Sequence, residues 1–90
     1  MTCIKTAVDK RETTLISVLT NYQSGSLTAL ITRKTALLAA WDKLTKLEIK
    51  TAISAAWKAY KLSMIDLKST LHTSRDAAWF TYKNEVKLCK

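Results

Sequence analysis

The chain of 90 residues contains no proline, one glycine and one histidine. Proline and glycine form most of the tight turns in β-rich folds, so their scarcity favours helices over sheets. No apolar run approaches the roughly 18 consecutive residues that a membrane-spanning helix requires. The sequence therefore predicts an all-α protein without a transmembrane segment and, at this length, a single domain over residues 1–90.

Motifs for catalysis and cofactor binding are missing as well. The sequence has no glycine-rich phosphate loop, no nucleophile elbow and no metal-binding helix motif. His72 has no second nitrogen ligand or cysteine cluster near it, and the c-type haem motif Cys-x-x-Cys-His is absent. We therefore expect no enzymatic activity, no metal and no cofactor.

Acidic residues are few. The chain has seven aspartates and glutamates and 15 lysines and arginines, which gives a net charge of +8. A charge of this sign favours anionic partners such as nucleic acid, anionic lipid or acidic polysaccharide. The same charge also promotes solubility by keeping copies apart. The charge alone therefore does not establish a ligand.

The centre of the chain has the pattern of a turn between two helical arms. Residues 45–48, Thr-Lys-Leu-Glu, fit a capping box, in which the Thr45 hydroxyl accepts from the Glu48 amide and the Glu48 carboxylate reaches back. We predict a long antiparallel helical hairpin with a helix over about residues 4–44, a turn over about 44–47 and a helix over about 47–88. A continuous helix through the capping box is the alternative.

Two cysteines lie at mirror positions about this turn. Cys3 and Cys89 are equally far from Lys46 along the chain, so folding at the turn brings both sulfurs to the same end. This placement favours a Cys3–Cys89 disulfide and hence an oxidising compartment. Two cysteines alone would not decide the matter, because free cysteine is also a common small apolar residue.

An 11-residue rhythm runs through both arms. Eleven residues make three turns of about 3.67 residues each, so residues at this spacing form rows that run almost straight along a helix. The rhythm continues across Ser24-Gly25-Ser26, which favours one long helix with a weak point or kink at Gly25. A break at that glycine would give a three-helix bundle, which is the alternative fold. One row of the first arm consists of Val8, Leu19, Leu30 and Trp41.

A longer repeat, which spans two periods of the rhythm, involves tryptophan. Residues 55–61 contain Ala-Ala-Trp followed by Tyr-Lys, and the same pattern returns at 77–83. Apolar and small residues cover more than half of the circumference of the first helix, which exceeds the arc of about 100° needed to face one partner. One helix partner cannot cover this surface, so we expect contacts between subunits. The interface candidates are Ile16, Leu27, Leu38, Trp41, Trp57, Ile65, Trp79 and Phe80.

Basic residues alternate with indole rings along one side of the second helix. Such a Lys/Trp face could bind a phosphate backbone and stack on bases. Alternatively, the lysine stems lie over buried tryptophan rings while their charges reach water. The candidate anion-binding residues are Lys46, Lys50, Lys61, Lys68 and Lys83.

Short motifs that extend over nearly the whole chain resemble those of a known group of proteins. They are Cys3, residues 9–13, 33–37 and 39–41, then 52–53, 56–57, Tyr60, Arg75, 77–79, Tyr82 and Cys89. In these motifs the chain resembles small secreted, cysteine-bracketed helical proteins of ultrasmall candidate-phyla bacteria. The resemblance implies export and a disulfide, but the group has no established activity to carry over.

Residues 1–11 lack the apolar core of a signal peptide. We therefore expect either a protein that stays inside the cell or a mature chain from which a signal peptide has been removed. The leading hypothesis is a secreted, disulfide-stabilised structural subunit that self-assembles into an extracellular helical filament or fibre. The alternative is a basic nucleic-acid-binding protein that uses the Lys/Trp face. A membrane-surface amphipathic helix fits less well, because threonines interrupt the apolar face.

Overall fold

A computed structural model describes residues Thr2–Cys89. This part of the chain forms two long helices, α1 over Thr2–Ala40 and α2 over Lys46–Leu88, and contains no strand. The predicted all-α helical hairpin is confirmed. The alternative of a helix continuing through the capping box is wrong.

The turn occupies residues 41–45, earlier than the predicted 44–47. The amides of Asp42 and Lys43 donate to the carbonyls of Ala39 and Ala40 at 3.1 and 3.2 Å, three residues back. These tighter bonds close α1 at Ala40, so the predicted helix end at about residue 44 is wrong. The chain needs these residues to reverse direction before α2 begins.

Thr45 caps the start of α2. Its hydroxyl oxygen accepts from the Glu48 amide at 3.1 Å, and its carbonyl accepts from the Ile49 amide at 3.0 Å. The hydrogen bonds among residues 2–89 include this half of the capping box but not the return bond from the Glu48 carboxylate. An N-cap threonine stabilises a helix by about 1 kcal/mol, which accounts for the restart at Lys46.

Helix α1 runs through Ser24-Gly25-Ser26 without a break, so the three-helix alternative is wrong. The backbone at Gly25 has an ordinary negative φ, as do the other described residues. A Cβ atom built at Gly25 would overlap Leu67 Cδ2 and lie 3.4 Å from Leu67 Cδ1. The glycine therefore provides room for a side chain of α2 and does not interrupt α1.

The hairpin divides into two compact units. Unit 1 consists of Met1–Gln23 with Lys68–Lys90, and unit 2 consists of Ser24–Leu67. The sequences of the two units match after a shift of two 11-residue periods. Adding two periods to the number of a unit 1 residue in α1, or subtracting them from the number of a unit 1 residue in α2, gives the matching residue of unit 2. We call this relation the two-period shift. The residues that match are Ala7 with Ala29, Arg11 with Arg33, Ala78 with Ala56, Trp79 with Trp57, and Tyr82 with Tyr60.

Alanine makes up the fully buried interior of both units. Unit 1 buries Ala7 and Ala78, and unit 2 buries Ala29, Ala40 and Ala56. These positions follow the predicted 11-residue rows, because within each helix they are separated by one or two whole periods. Since alanine has only a methyl group, the two helices can pack closely. No large side chain among residues 2–89 is fully buried, although several, such as Leu15, Leu37 and Leu67, are half-buried.

Candidate assembly surface

The predicted disulfide is present and lies within one chain. Cys3 and Cys89 are joined, with their Cα atoms 5.8 Å apart. The two-period shift converts this pair into Gly25 and Leu67 of unit 2. A covalent bond in one unit thus occupies the position at which the other unit packs a leucine side chain over a glycine.

All eight interface candidates are exposed. Their exposed fractions range from 43% at Trp79 to 67% at Ile16, Trp41 and Phe80. The structure places these residues on the surface of the hairpin, where a contact between subunits remains a prediction. The others are Leu27, Leu38, Trp57 and Ile65.

In unit 1, an arginine of α1 holds the exposed tryptophan of α2 in position. The guanidinium carbon of Arg11 lies 4.4 Å from the ring centre of Trp79 and 4.3 Å from that of Tyr82. The two rings meet edge to face, 5.8 Å apart at an interplanar angle of 86°. A cation–π contact contributes about 0.5–2 kcal/mol, more when water is excluded.

Unit 2 contains the same arrangement. The guanidinium carbon of Arg33 is 4.4 Å from the ring centres of both Trp57 and Tyr60. These rings are also edge to face, at 6.3 Å and 85°. We call each set of three side chains an arginine–aromatic cluster. Each cluster orients one tryptophan ring that remains 43% or 50% exposed.

The sequence interpretation missed the arginines of these clusters. One of its two alternatives was that lysine stems cover buried tryptophan rings, whereas the rings of Trp57 and Trp79 are half exposed and Arg33 and Arg11 contact them. One signal was available: the two arginines have the same separation along the chain as Trp57 and Trp79. Periodicity within one helix does not show which residues of the other helix lie opposite.

Arg11 is the more enclosed cation of unit 1. Its side chain is 14% exposed, and one guanidinium nitrogen lies 3.6 Å from the Glu12 carboxylate. Its Nε atom is buried without a hydrogen-bond acceptor. Cation–π contact with the two rings therefore holds the guanidinium more than ion pairing does, because an exposed ion pair contributes only about 0–1 kcal/mol.

The five candidate anion-binding lysines are all exposed. Within residues 2–89, ion pairs link Lys10 with Glu85, Arg11 with Glu12, and Arg75 with Asp76, and none includes those lysines. Their charges are thus available to an external partner. The same stretch contains no group of side chains suited to hold a metal ion.

Each unit also has an open groove along the line where its two helices meet. The groove of unit 1 has a volume of about 420 Å³ and that of unit 2 about 450 Å³. Small side chains form most of both walls. The unit 1 groove includes Lys10, Thr14, Ala77, Thr81 and Glu85, and the unit 2 groove includes Gly25, Ala36, Ala59, Ser63 and Asp66.

The fold and its surfaces define the chain as a disulfide-closed α-helical hairpin with two internal repeats. Over residues 2–89, neither helix combines the length and apolarity needed to cross a membrane. The chain matches no protein-family model, and comparisons with curated proteins and with solved structures give no significant match.

Proposed function

We propose that this chain is a structural subunit that self-assembles side by side into an extracellular filament. The observation that carries the proposal is the distribution of side chains: only alanines are fully buried, while many large apolar side chains, among them all three tryptophans, are exposed. Proteins that work as monomers rarely expose large contiguous apolar patches, and such patches typically mark interaction surfaces.

The accessible surface of the hairpin supports the same conclusion. It measures 7142 Å², whereas a compact monomer of this mass, 10.1 kDa, exposes about 5,300 Å². The excess of about 1,800 Å² is similar to the total area buried in a standard protein–protein interface, about 1,200–2,000 Å². Association with further copies would bring the buried fraction closer to that of an ordinary globular protein.

The covalent bond and the sequence resemblance support the proposed extracellular location. Disulfides persist in oxidising compartments and are rare in the cytosol of most cells. The Cys3–Cys89 bond closes almost the entire chain. The resemblance to small secreted proteins points to the same compartment.

Sedimentation and negative-stain imaging of the purified chain test the proposal. We expect particles that grow with protein concentration in the micromolar range, and elongated assemblies in the images. Repeated head-to-tail contacts that do not close produce open polymers, whereas contacts that close produce rings. A monodisperse monomer throughout this range would refute self-assembly.

Nucleic-acid binding is the second candidate function, and the exposed lysines favour it. Lys50, Lys61 and Lys83 have no ion-pair partner within residues 2–89. Affinity should then fall steeply with salt, and replacing these three lysines together should reduce the slope of log affinity against log salt by up to about three. Absence of binding at low salt would exclude this function without affecting the assembly proposal.

A further inference from the structure

We propose that the groove of unit 2 is a binding site for a sugar acid, whose carboxylate pairs with Arg33. Unit 1 has a groove and an arginine–aromatic cluster at the matching positions, but its own side chains pair with the cations there. Those of unit 2 do not. The site lies within one chain, so the inference does not depend on self-assembly.

The two grooves are equivalent surfaces. Arg11 and Tyr82 line the unit 1 groove, and the two-period shift converts them into Arg33 and Tyr60, which line the unit 2 groove. Each arginine also contacts the tryptophan of its own cluster. Unit 1 therefore serves as an internal reference that shows which side chains accompany the arginine when its charge is balanced.

In unit 1, two carboxylates balance two cations. Lys10 of α1 and Glu85 of α2 form an ion pair at 3.1 Å, and both residues line the groove. The Glu12 carboxylate lies 3.6 Å from a guanidinium nitrogen of Arg11. In this unit, the arginine of the cluster therefore has a carboxylate as its ionic partner.

Unit 2 lacks both of these carboxylates. Thr32 and Ser63 stand where unit 1 has its ion pair between helices, and Lys34 stands where unit 1 has the acidic partner of its arginine. Among residues 2–89, the ion pairs include neither Arg33 nor Lys34. The matching side chains of unit 2 therefore carry two cations and no anion, which favours a negatively charged ligand.

The guanidinium of Arg33 is held in place without an acceptor for its N–H groups. Its carbon lies 4.4 Å from the ring centres of both Trp57 and Tyr60. The side-chain hydrogen bonds of residues 2–89 include none from Arg33. A guanidinium pairs with a carboxylate through two parallel hydrogen bonds. Since the rings already orient Arg33, it has less side-chain freedom to lose on binding.

The walls of the unit 2 groove carry hydroxyl groups. Thr28, Thr32 and Ser63 line it, and no hydrogen bond within the described chain, residues 2–89, includes their hydroxyls. A hydroxyl both donates and accepts, so these groups complement the hydroxyls of a sugar. The volume of about 450 Å³ lies within the range of small-molecule sites, and Tyr60 adds an aromatic surface.

Asp66 limits how many carboxylates the ligand carries. It also lines the groove, and it follows Tyr60 by six residues, which is about 9 Å along α2. Its charge disfavours a second anion at that end, whereas its oxygens accept hydrogen bonds from hydroxyl groups. Acidic peptides and nucleic acids carry further anions, so they fit this groove less well. A ligand with one carboxylate and several hydroxyls, such as glucuronate, fits both ends.

Titration of the full chain, with its disulfide intact, tests the site by ¹⁵N NMR. The Nε–H signal of Arg33 reports on the guanidinium, and that of Arg11 is the reference within the same molecule. We expect glucuronate to shift the Arg33 signal saturably and to leave the Arg11 signal nearly unchanged. Glucose, which has a hydroxymethyl group in place of the carboxylate, should bind at least about tenfold more weakly.

A triple variant gives unit 2 the side chains of unit 1. Thr32→Lys, Lys34→Glu and Ser63→Glu fall on exposed positions, and circular dichroism will confirm folding. Because the variant supplies its own carboxylates, the dissociation constant for glucuronate should rise at least about tenfold. Lys5→Glu is the matched control, since it changes the net charge by the same amount at an exposed position of unit 1. This control should bind like the unmodified chain.

Several results would overturn the inference. They are the absence of a saturable Arg33 shift up to roughly 50 mM glucuronate, an equal shift of the Arg11 signal, and unchanged binding by the triple variant. Tighter binding of inorganic phosphate or of a triglutamate peptide than of glucuronate would assign the groove to another anion and overturn it as well. Sedimentation tests self-assembly separately, so failure of this site leaves the proposed function standing, and the reverse also holds.

Discussion

Replacing Gly25 by alanine tests the packing of unit 2 most directly. In the interior of an exposed helix, this change stabilises the folded state by about 1 kcal/mol, because glycine has greater conformational freedom in the unfolded chain. In this structure the new methyl group would overlap Leu67 Cδ2. Helix propensity and packing therefore predict opposite effects on stability.

The magnitude depends on how far Leu67 can move. Overpacking a well-filled contact typically costs about 1–3 kcal/mol. Leu67 is half-buried, and the overlapping atom is the end of its side chain, so part of the overlap can be relieved. After subtraction of the propensity gain, Gly25→Ala should destabilise the chain by about 0–2 kcal/mol.

A double-mutant cycle separates the two effects. The three atoms nearest to the new methyl group all belong to Leu67, so Leu67→Ala removes the overlap. In that background, Gly25→Ala should stabilise by about 1 kcal/mol, which gives a coupling energy of about 1–3 kcal/mol. Urea unfolding followed by circular dichroism, at concentrations where the midpoint does not change with protein concentration, measures each free energy.

Ser24→Ala serves as the control, because Ser24 is exposed and adjacent in α1. It should stabilise by a few tenths of a kcal/mol in both backgrounds, with no coupling to Leu67. If Gly25→Ala instead stabilises by about 1 kcal/mol with Leu67 present, the close approach of α2 to α1 at this glycine is wrong.

Three further predictions concern the covalent bond and the clusters. Reducing the native disulfide, which spans a sequence separation of 86, should lower the free energy of unfolding by up to about 4–5 kcal/mol; an unchanged urea midpoint would contradict this. Gly25→Cys with Leu67→Cys should form a second disulfide, because Leu67 Cγ lies only 3.5 Å from a Cβ atom built at Gly25. Mass spectrometry should then show the loss of two more hydrogens. Free thiols after oxidation would refute the equivalence of the two units. Arg33→Ala should lower the free energy of unfolding by about 1–2 kcal/mol, because it removes contacts with two rings. Lys34→Ala, the control beside it, should lower it by about 0.5 kcal/mol or less. Equal effects in urea unfolding would mean that the arginine–aromatic contacts do not stabilise the hairpin.

The contacts within the two repeats also explain how a hairpin with an alanine interior keeps a single register between its helices. A shift of one helix by a single period of the rhythm would preserve the rows of small residues, because those rows repeat with that period. Two features of the structure oppose such a shift. The disulfide joins Cys3 only to Cys89, and each arginine must meet a tryptophan and a tyrosine of α2. These contacts distinguish the observed register from its neighbours.

The sequence by itself determined the two helices, the cap at Thr45, the continuity of α1 through Gly25 and the pairing of Cys3 with Cys89. Each depends on local chemistry or on distance along the chain: a threonine hydroxyl near a free amide, an uninterrupted 11-residue rhythm, and mirror positions about a turn. The exposure of the large apolar residues was also predictable, since they cover more of the circumference than one partner helix can bury.

Only the tertiary structure decided which side chains meet across the two helices. It placed Arg11 and Arg33 against the aromatic rings and ended α1 at Ala40. It also formed the small-residue groove of each unit, whose walls include the arginine and the tyrosine of that unit's cluster. The physical reason is that periodicity describes the face of one helix, whereas a contact depends on the register and rotation of both, which many distant residues set together.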